Sequence, residues 1–248
     1  MSRGKLIVID GTDGSGKKTQ TKLLIERFQR EGYPAVSISF PQYGKKSAGL
    51  VEEYLNGRYG GAEEVSPYVA SLFYALDRFD LSAEIRTRLQ EGKTIITDRY
   101  VDANAGHQGG KIRDPRERGR FLSWLYDLEY GILGIPSPDL VFILHVPAEV
   151  GQHLVLAKQQ QLYAERAYIE GGKKQDLHEG DLDHLKAAEG AYLWLAEQFP
   201  EDHRLIECVK EDKLLSPEEI HEKIWQEIKL LLSTPAIVKE NELVLEKL

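Results

Sequence analysis

The sequence contains a single cysteine, Cys208, among its 248 residues. No disulfide can form within such a chain, which is typical of proteins from a reducing compartment. The sequence also lacks any apolar run near the roughly 20 residues that a membrane-spanning helix requires, and its first residues show no signal-peptide features. We therefore expect a cytoplasmic protein that does not bind membranes, with Cys208 packed in the interior rather than catalytic.

The sequence is equally poor in positive charge and in transition-metal ligands. Its net charge is −8, which argues against a general nucleic-acid binder because such proteins carry a basic surface. Its seven histidines lack the spacing of a zinc site. The remaining composition, with 42% apolar and 29% charged residues, is that of a globular protein with a sizeable core.

Short apolar runs alternate with amphipathic runs of helix length along most of the chain. The predicted strands cover residues 5–9, 35–40, 93–97, 140–146 and 205–208. The predicted helices cover residues 18–31, 67–90, 115–133, 148–163, 177–198 and 217–232. Because strands and helices alternate, we expect a three-layer α/β fold, in which a five-stranded parallel sheet carries helices on both faces. Residues 101–113 are glycine-rich and polar and are predicted to form a loop.

The most informative stretch directly follows the first predicted strand and has the spacing G-x-x-x-x-G-K. In this P-loop pattern, glycines turn backbone N–H groups toward one phosphate, and the following helix adds its positive end. Lys17 supplies a mobile charge for the outer phosphates. A plain glycine-rich turn is the alternative, but the strand before it and the helix after it favour nucleotide binding. The predicted ATP-binding residues are Gly11, Thr12, Asp13, Gly14, Ser15, Gly16, Lys17, Lys18 and Thr19.

Lys18 departs from the pattern, which has Ser or Thr at that position to hold magnesium. Magnesium prefers oxygen ligands, so the candidate carboxylates are Asp10, Asp13, Asp98 and Glu179. A basic, glycine-containing segment around Arg166 could close over bound phosphates as a lid that excludes water, although a run of charges is more often a solvated loop.

Two further motifs contain arginines that could bind phosphate. Arg99 directly follows the third predicted strand and could reach a phosphate bidentately, or it could form a structural pair with Asp98. Tyr74 and Arg78 lie four residues apart on one helix face. They could stack a base and hold a phosphate, or they could be a core aromatic and a surface arginine.

Two loops contribute the remaining candidates. The stretch Phe40-Pro41-Gln42-Tyr43 could form a rigid aromatic wall, or it could be a strand end followed by a turn. Amide and imidazole groups are available from Asn104, His107 and Gln108. A lone histidine such as His107 is more often structural than catalytic.

In their order and spacing, these motifs resemble the thymidylate kinase family from Lys5 to about Leu232. They are the P-loop with Asp at its third position, Phe-Pro after the second strand, aromatic-x-x-Asp-Arg on the long helix, Asp-Arg-Tyr after the third strand, and Asp-x-x-Glu from Asp176. The resemblance implies a P-loop domain over residues 1–232, with a lid at about 160–176, and a tail of unknown role over 233–248. It also implies a homodimeric kinase that transfers the γ-phosphate of ATP to dTMP and uses Mg²⁺.

The resemblance also implies roles for individual residues. Lys17 would bridge the β- and γ-phosphates of ATP. Arg78 and Arg99 would hold the acceptor monophosphate, while its base stacks on Tyr74. The implied catalytic residues are Asp13, Lys17, Arg99 and Arg166. The other implied contacts to the acceptor nucleotide are Phe40, Pro41, Tyr43, Asn104, His107 and Gln108, and the implied metal ligands are Asp13, Asp98 and Glu179.

Two departures from the family pattern keep other functions open. Lys18 replaces the residue that would bind magnesium. His107 stands where the family usually has a tyrosine beside the sugar, which leaves the discrimination between deoxyribose and ribose open. The alternatives are a kinase of another pyrimidine monophosphate, such as dUMP or UMP, and a nucleotide-binding protein without transferase activity.

Overall fold

The computed structural model describes residues 3–61, 64–162 and 182–233, with the backbone alone for 158–162. Its main sheet has five parallel strands in the order β2-β3-β1-β4-β5. The strands are β1 (Leu6–Asp10), β2 (Ala35–Ser39), β3 (Thr94–Asp98), β4 (Leu140–His145) and β5 (His203–Glu207). β1 lies at the centre, where Ile7 pairs with Ile96 of β3 on one side and with Leu140 of β4 on the other.

Helices connect the strands. They are α1 (Lys17–Arg30), α2 (Gly49–Leu55), α3 (Pro67–Gln90), α4 (Val101–His107), α5 (Pro115–Tyr126), α6 (Ala148–Leu162), α7 (Leu182–Gln198) and α8 (Pro217–Ser233). A π-helical segment, Asp127–Ile132, continues α5. The short strands β6 (Val209–Lys210) and β7 (Lys213–Leu214) form a separate antiparallel hairpin, which the sequence interpretation missed.

The helices cover both faces of the sheet, because alternate side chains of a strand point to opposite faces. Leu6 and Val8 face a core that they share with α3, α4, α5 and α7. Ile7 and Ile9 face a second core that they share with α1 and α8. The predicted three-layer α/β fold with five parallel strands is therefore confirmed. Ligands in such folds bind at the carboxyl edge of the sheet, where β1 and β3 end side by side.

The prediction of a loop over residues 101–113 was wrong. α4 occupies the first half of this stretch, and a 3₁₀ turn follows at Gly109–Lys111. A Cβ on Gly110 would lie 2.9 Å from the backbone of Ala187 in α7. Glycine at this position therefore allows close packing between the 3₁₀ turn and α7. The helix predicted over 115–133 also changes to π-helical geometry at Asp127.

Cys208 is packed in the interior, as predicted. Burial raises the pKa of its thiol to about 12, so the thiol stays protonated at neutral pH. In the part of the chain that the structure describes, no helix is long and apolar enough to cross a membrane. The predicted lid and the predicted tail lie almost entirely outside the described residues.

Candidate active site

The turn between β1 and α1 has the backbone of a phosphate cradle. Gly11, Gly14 and Gly16 have φ angles of 137°, 83° and 92°, which residues with a Cβ rarely adopt. At Gly14, a Cβ would also lie 2.2 Å from the carbonyl oxygen of Gly151 in α6. α1 begins directly after this turn, and the first backbone N–H groups of a helix have no acceptor within it. The turn and the start of α1 can therefore bind an anion together.

Lys17 is buried, and its ammonium lies within the P-loop. Nζ donates to the carbonyl oxygens of Gly11 at 3.1 Å and Thr12 at 2.8 Å, and it lies 3.9 Å from Oδ1 of Asp13. Burial and the nearby Arg99 lower the pKa of Lys17. A phosphate bound in the loop would give this ammonium an anionic partner in place of the two carbonyl groups.

Arg99 connects the P-loop to α4. Its Nη2 donates to Oδ1 of Asp13, and its Nη1 lies 2.8 Å from Nε2 of His107. Burial opposes the charge of Arg99, but Asp13 and other acidic groups outweigh it and raise the pKa of Arg99 well above its ordinary value. The backbone of Arg99 has a φ of 66°, a conformation that costs a residue with a side chain about 1–3 kcal/mol and is often found at functional sites.

Arg78 differs from Arg99 because its charge is compensated deep inside the protein. It is 1% exposed and forms a two-point ion pair with Glu129, in which Nε–Oε2 is 2.6 Å and Nη2–Oε1 is 2.5 Å. Burial opposes the charge of Arg78, but Glu129 outweighs it and raises the pKa of Arg78. The alternative of a surface arginine is therefore wrong, whereas a contact between Arg78 and a monophosphate stays a prediction.

The loop after β2 is fixed against α3 by Asp77. Its Oδ2 accepts from the backbone N–H of Gln42 at 2.8 Å, and its Oδ1 accepts from the hydroxyl of Ser47 at 2.6 Å. Phe40 is buried in the same loop, and its ring centre lies 5.8 Å from that of Tyr100. The sequence interpretation assigned no role to Asp77, which holds the predicted aromatic wall beside α3.

α4 and the residue directly after it bring three of the predicted contacts to the acceptor nucleotide into the interior. Nδ2 of Asn104 donates to the carbonyl oxygen of Ser71 at 3.2 Å. Nδ1 of His107 lies 3.4 Å from Nε2 of His184. Gln108 is also buried, and its Oε1 has no hydrogen-bond partner among the described residues. A buried acceptor of this kind is a place where a donor group of a ligand can bind.

This geometry coincides with similarity to known proteins. The family model for thymidylate kinase matches residues 9–195. The chain belongs to the thymidylate kinase family. A thymidylate kinase from Pelotomaculum thermopropionicum is 30% identical over 86% of this chain and 89% of that protein. One from Mycobacterium tuberculosis is 29% identical over 78% and 86%.

Solved structures support the fold of this thymidylate kinase family member. The structure of thymidylate kinase from Candida albicans covers 94% of this chain and 94% of that chain. It superimposes with a TM-score of 0.68 at 21% sequence identity. At this level of identity the similarity concerns the fold alone.

The sequence interpretation missed several buried polar residues that border the site. The hydroxyl of Tyr192 donates to Oδ1 of Asp10 at 2.7 Å, and burial raises the pKa of Asp10 to about 6. Glu129 has a signal in the sequence, because it lies four residues after Leu125 on the apolar face of its predicted helix. His184 and Tyr192 have no such signal, since both fit ordinary helix positions.

The remaining predicted residues differ in how much the structure describes of them. Arg166 and Glu179 lie outside the described residues, so the lid arginine and one metal ligand stay predictions. Tyr43 is exposed, and Tyr74 is half-buried with its ring centre 6.4 Å from that of Tyr54. Residues 3–61, 64–162 and 182–233 contain no group of three or more His, Cys, Asp or Glu side chains that could hold a metal ion.

Proposed function

We propose that this member of the thymidylate kinase family transfers the γ-phosphate of ATP to dTMP, which gives dTDP and ADP. The observation that carries the proposal is the position of Arg99, whose guanidinium contacts Asp13 of the P-loop and His107 of α4. A cation there lies between a donor site for ATP and an acceptor site formed by α3 and α4. We place the reaction in the cytoplasm, as expected for a chain whose one cysteine is free and buried.

On the donor side, the P-loop from Gly11 to Thr19 binds the phosphates of ATP through its backbone N–H groups and the start of α1. Lys17 exchanges its carbonyl partners for oxygens of the β- and γ-phosphates. Because the ammonium is already held within the loop, little side-chain entropy is lost when ATP binds. Lys18, exposed on the first turn of α1, adds positive charge at the same place.

On the acceptor side, Arg99 binds the monophosphate of dTMP. Its partner Asp13 is 18% exposed, so a phosphate can compete with that carboxylate for the guanidinium. Glu129 already compensates the charge of Arg78. We therefore place Arg78 near the phosphate of dTMP and assign the main contact with that phosphate to Arg99. The base stacks on Tyr74. The other proposed contacts to the nucleotide are Phe40, Pro41, Tyr43, Asn104, His107 and Gln108.

The transfer is an in-line displacement at phosphorus. An oxygen of the dTMP phosphate attacks the γ-phosphorus of ATP, and the bond to the β,γ-bridging oxygen breaks, so that ADP leaves with the electron pair. The protein has little covalent chemistry to perform, and the rate comes from positioning and charge stabilisation. Lys17 stabilises charge on the donor side and Arg99 on the acceptor side, with Arg166 as the proposed cation of the lid.

The carboxylates at the carboxyl edge of the sheet fit a magnesium ion. Asp13 and Asp98 offer oxygen ligands, and both act electrostatically on Lys17. A magnesium ion held by one or two carboxylates and by substrate phosphates needs no cluster of protein ligands, in agreement with the lack of one among the described residues. When bound, the ion would offset negative charge on the transferred phosphate.

We also infer that the chain forms a homodimer through α3. An apolar stripe on this helix repeats at intervals of three or four residues and is exposed along its length. It consists of Val69, Leu72, Leu76 and Phe79. Contiguous exposed apolar surface of this kind usually marks an interaction site, and a second copy of α3 offers a matching surface.

A coupled assay of ADP release with dTMP, dUMP and UMP tests the proposed function. We expect the highest kcat/KM with dTMP. Turnover of UMP equal to that of dTMP would show a broader pyrimidine monophosphate kinase. ATP binding without ADP release from any of the three would show a nucleotide-binding protein without transferase activity.

A further inference from the structure

Glu129 is a fully buried carboxylate in the π-helical segment Asp127–Ile132. Segments of this geometry often occur at functional sites. The carboxylate accepts from Nε and Nη2 of Arg78 at 2.6 and 2.5 Å, and it lies 3.4 Å from Nδ2 of Asn104. One buried group therefore holds side chains from both α3 and α4.

Through Arg78, Glu129 also reaches the strained turn that carries Arg99. Nη1 of Arg78 donates to the carbonyl oxygen of Tyr100 at 3.1 Å, one residue beyond Arg99. The hydroxyl of Thr97 donates to the carbonyl oxygen of Arg99 itself at 2.8 Å. The backbone N–H of Arg99 donates to the carbonyl oxygen of Ile9 at 3.0 Å, so the turn is held both before and after its strained residue. A strained conformation persists only when its surroundings hold it in place.

Stability alone is a weak reason for a buried pair of this kind. The desolvation penalty of burying two charges offsets much of their mutual attraction. A well-packed apolar pair of similar volume therefore often gives the same free energy of unfolding. Removal of one partner is different, because the other charge then stays buried without compensation. Arg78 and Glu129 have side-chain exposures of 1% and 0%, so neither can turn toward water or phosphate without this cost. We therefore expect the two side chains to remain paired when substrates bind and leave.

We propose that Glu129 is a positioning residue for phosphoryl transfer, which acts through Arg78 and Asn104 on the backbone that presents Arg99. The inference rests on the proposed function, because it takes Arg99 as the cation of the acceptor site. In this role Glu129 needs no contact with either nucleotide. It keeps α4 and the turn before it in the geometry in which Arg99 meets both the P-loop and the acceptor phosphate.

Steady-state kinetics with ATP and dTMP, together with thermal unfolding, test the inference on three variants. Glu129→Gln keeps the shape of the side chain and removes its charge. We expect it to lower kcat/KM for dTMP about 10²-fold, as small misplacements of catalytic groups do, with KM for ATP unchanged. The double variant Arg78→Met/Glu129→Leu replaces the ion pair by apolar side chains. We expect it to keep the Tm of the wild type and to remain impaired with dTMP.

Glu129→Asp is the third variant, and it keeps the test decisive if the double variant does not fold. It retains the charge but shortens the side chain, and we expect a reduced kcat/KM for dTMP at a Tm close to that of the wild type. Ile224→Ala is the matched control, because Ile224 is buried in the core on the opposite face of the sheet. It should lower Tm and leave KM for dTMP unchanged.

Two results would overturn the inference: a double variant as active as the wild type, or a folded Glu129→Asp variant with normal kcat/KM for dTMP. Both leave wild-type activity intact and therefore leave the proposed function standing. A wild type that phosphorylates no monophosphate would overturn the proposed function, and the inference with it.

Discussion

Arg99 combines an unfavourable backbone conformation with contacts to two parts of the fold. Its φ of 66° is rare for a residue with a side chain, and its guanidinium contacts Asp13 and His107. A lysine could not make both contacts in the same way, because its ammonium lacks the planar fork of a guanidinium. At the scale of single residues, this arginine joins the P-loop to α4.

Replacement of this arginine is expected to affect activity far more than stability. We expect Arg99→Ala to lower kcat/KM for dTMP at least about 10²-fold, the effect of losing a contact that stabilises charge in the transition state. Arg116→Ala, at an exposed position of α5, is the control and should leave kcat/KM for dTMP nearly unchanged. An Arg99→Ala variant with unchanged kcat/KM would contradict the assigned role.

A second buried pair, Asp102 with His203, joins α4 to β5. Nε2 of His203 lies 3.4 Å from Oδ2 of Asp102, and the hydroxyl of Tyr126 donates to Oδ1 at 2.6 Å. Burial opposes both charges, but the pairing outweighs it: His203 lowers the pKa of Asp102, and Asp102 raises the pKa of His203. Both groups are therefore stabilised in their charged forms by the fold.

The pair predicts a pH dependence of stability with a definite sign. Because folding raises the pKa of His203, its contribution to the free energy of unfolding is complete below about pH 6.5. This contribution is lost as the pH rises through the pKa of His203 in the folded protein. Because folding lowers the pKa of Asp102, its contribution is present above about pH 4 and is lost as the pH falls through the folded value. The free energy of unfolding in urea should therefore fall less steeply above about pH 6.5 in His203→Gln than in the wild type. Identical slopes would show that His203 is not charged in the folded protein.

At the scale of secondary structure, the contact between α4 and α7 depends on glycine. The 3₁₀ turn after α4 places Gly110 against the backbone of Ala187, with no room for a side chain. α7 also carries Tyr192, which hydrogen-bonds Asp10 at the end of β1. Separation of α4 and α7 would therefore also disturb the hydrogen bond between Tyr192 and Asp10 at the carboxyl edge of the sheet.

Two glycine-to-alanine variants should change stability in opposite directions. Gly110→Ala forces the backbone of α7 to move, and we expect it to destabilise the fold by about 1–3 kcal/mol. Gly119→Ala adds a methyl group in open space on α5 and should stabilise the fold by about 0.5–1 kcal/mol, since glycine is unfavourable within a helix. Urea denaturation measures both, and equal effects would show that contact with Ala187 does not limit position 110.

At the scale of the whole molecule, α3 has two different surfaces. One contributes the buried residues Asp77 and Arg78 to the candidate site, and the other exposes the apolar stripe that includes Leu76. If a second copy covers this stripe, dimer formation and the acceptor site share one helix. A change at the dimer surface could then shift Asp77 and Arg78 at the candidate site through a movement of α3.

The proposed dimer can be tested by placing a charge at the centre of the apolar stripe on α3. Leu76→Glu should give a monomer in light scattering, because a carboxylate in an apolar interface is costly to bury. Leu230→Glu changes an exposed leucine on α8, which is remote in sequence from α3, and should leave the dimer intact. A wild type that is monomeric, or a Leu76→Glu variant that remains a dimer, would contradict the proposed interface.

Local patterns in the sequence were sufficient for the five strands of the main sheet, in their order along the chain, and for the P-loop. Apolar runs of strand length, glycine spacing and a lysine before a helix act over a few residues, so they can be recognised without a structure. α4 could not be recognised in this way. Its short glycine-containing sequence is typical of a loop, and its helical form depends on packing against α7, which comes about 80 residues later in the chain.

The family and the fold class thus follow from the printed sequence, whereas the pairing of the charges follows from the way the chain packs. Arg78 pairs with Glu129 across 51 residues, and Arg99 pairs with Asp13 across 86 residues. The sequence analysis identified Asp13, Arg78 and Arg99 as candidates and missed Glu129. It does not say which carboxylate meets which arginine. Ion pairing depends on distance and burial in three dimensions, and packing brings these groups together from separate elements.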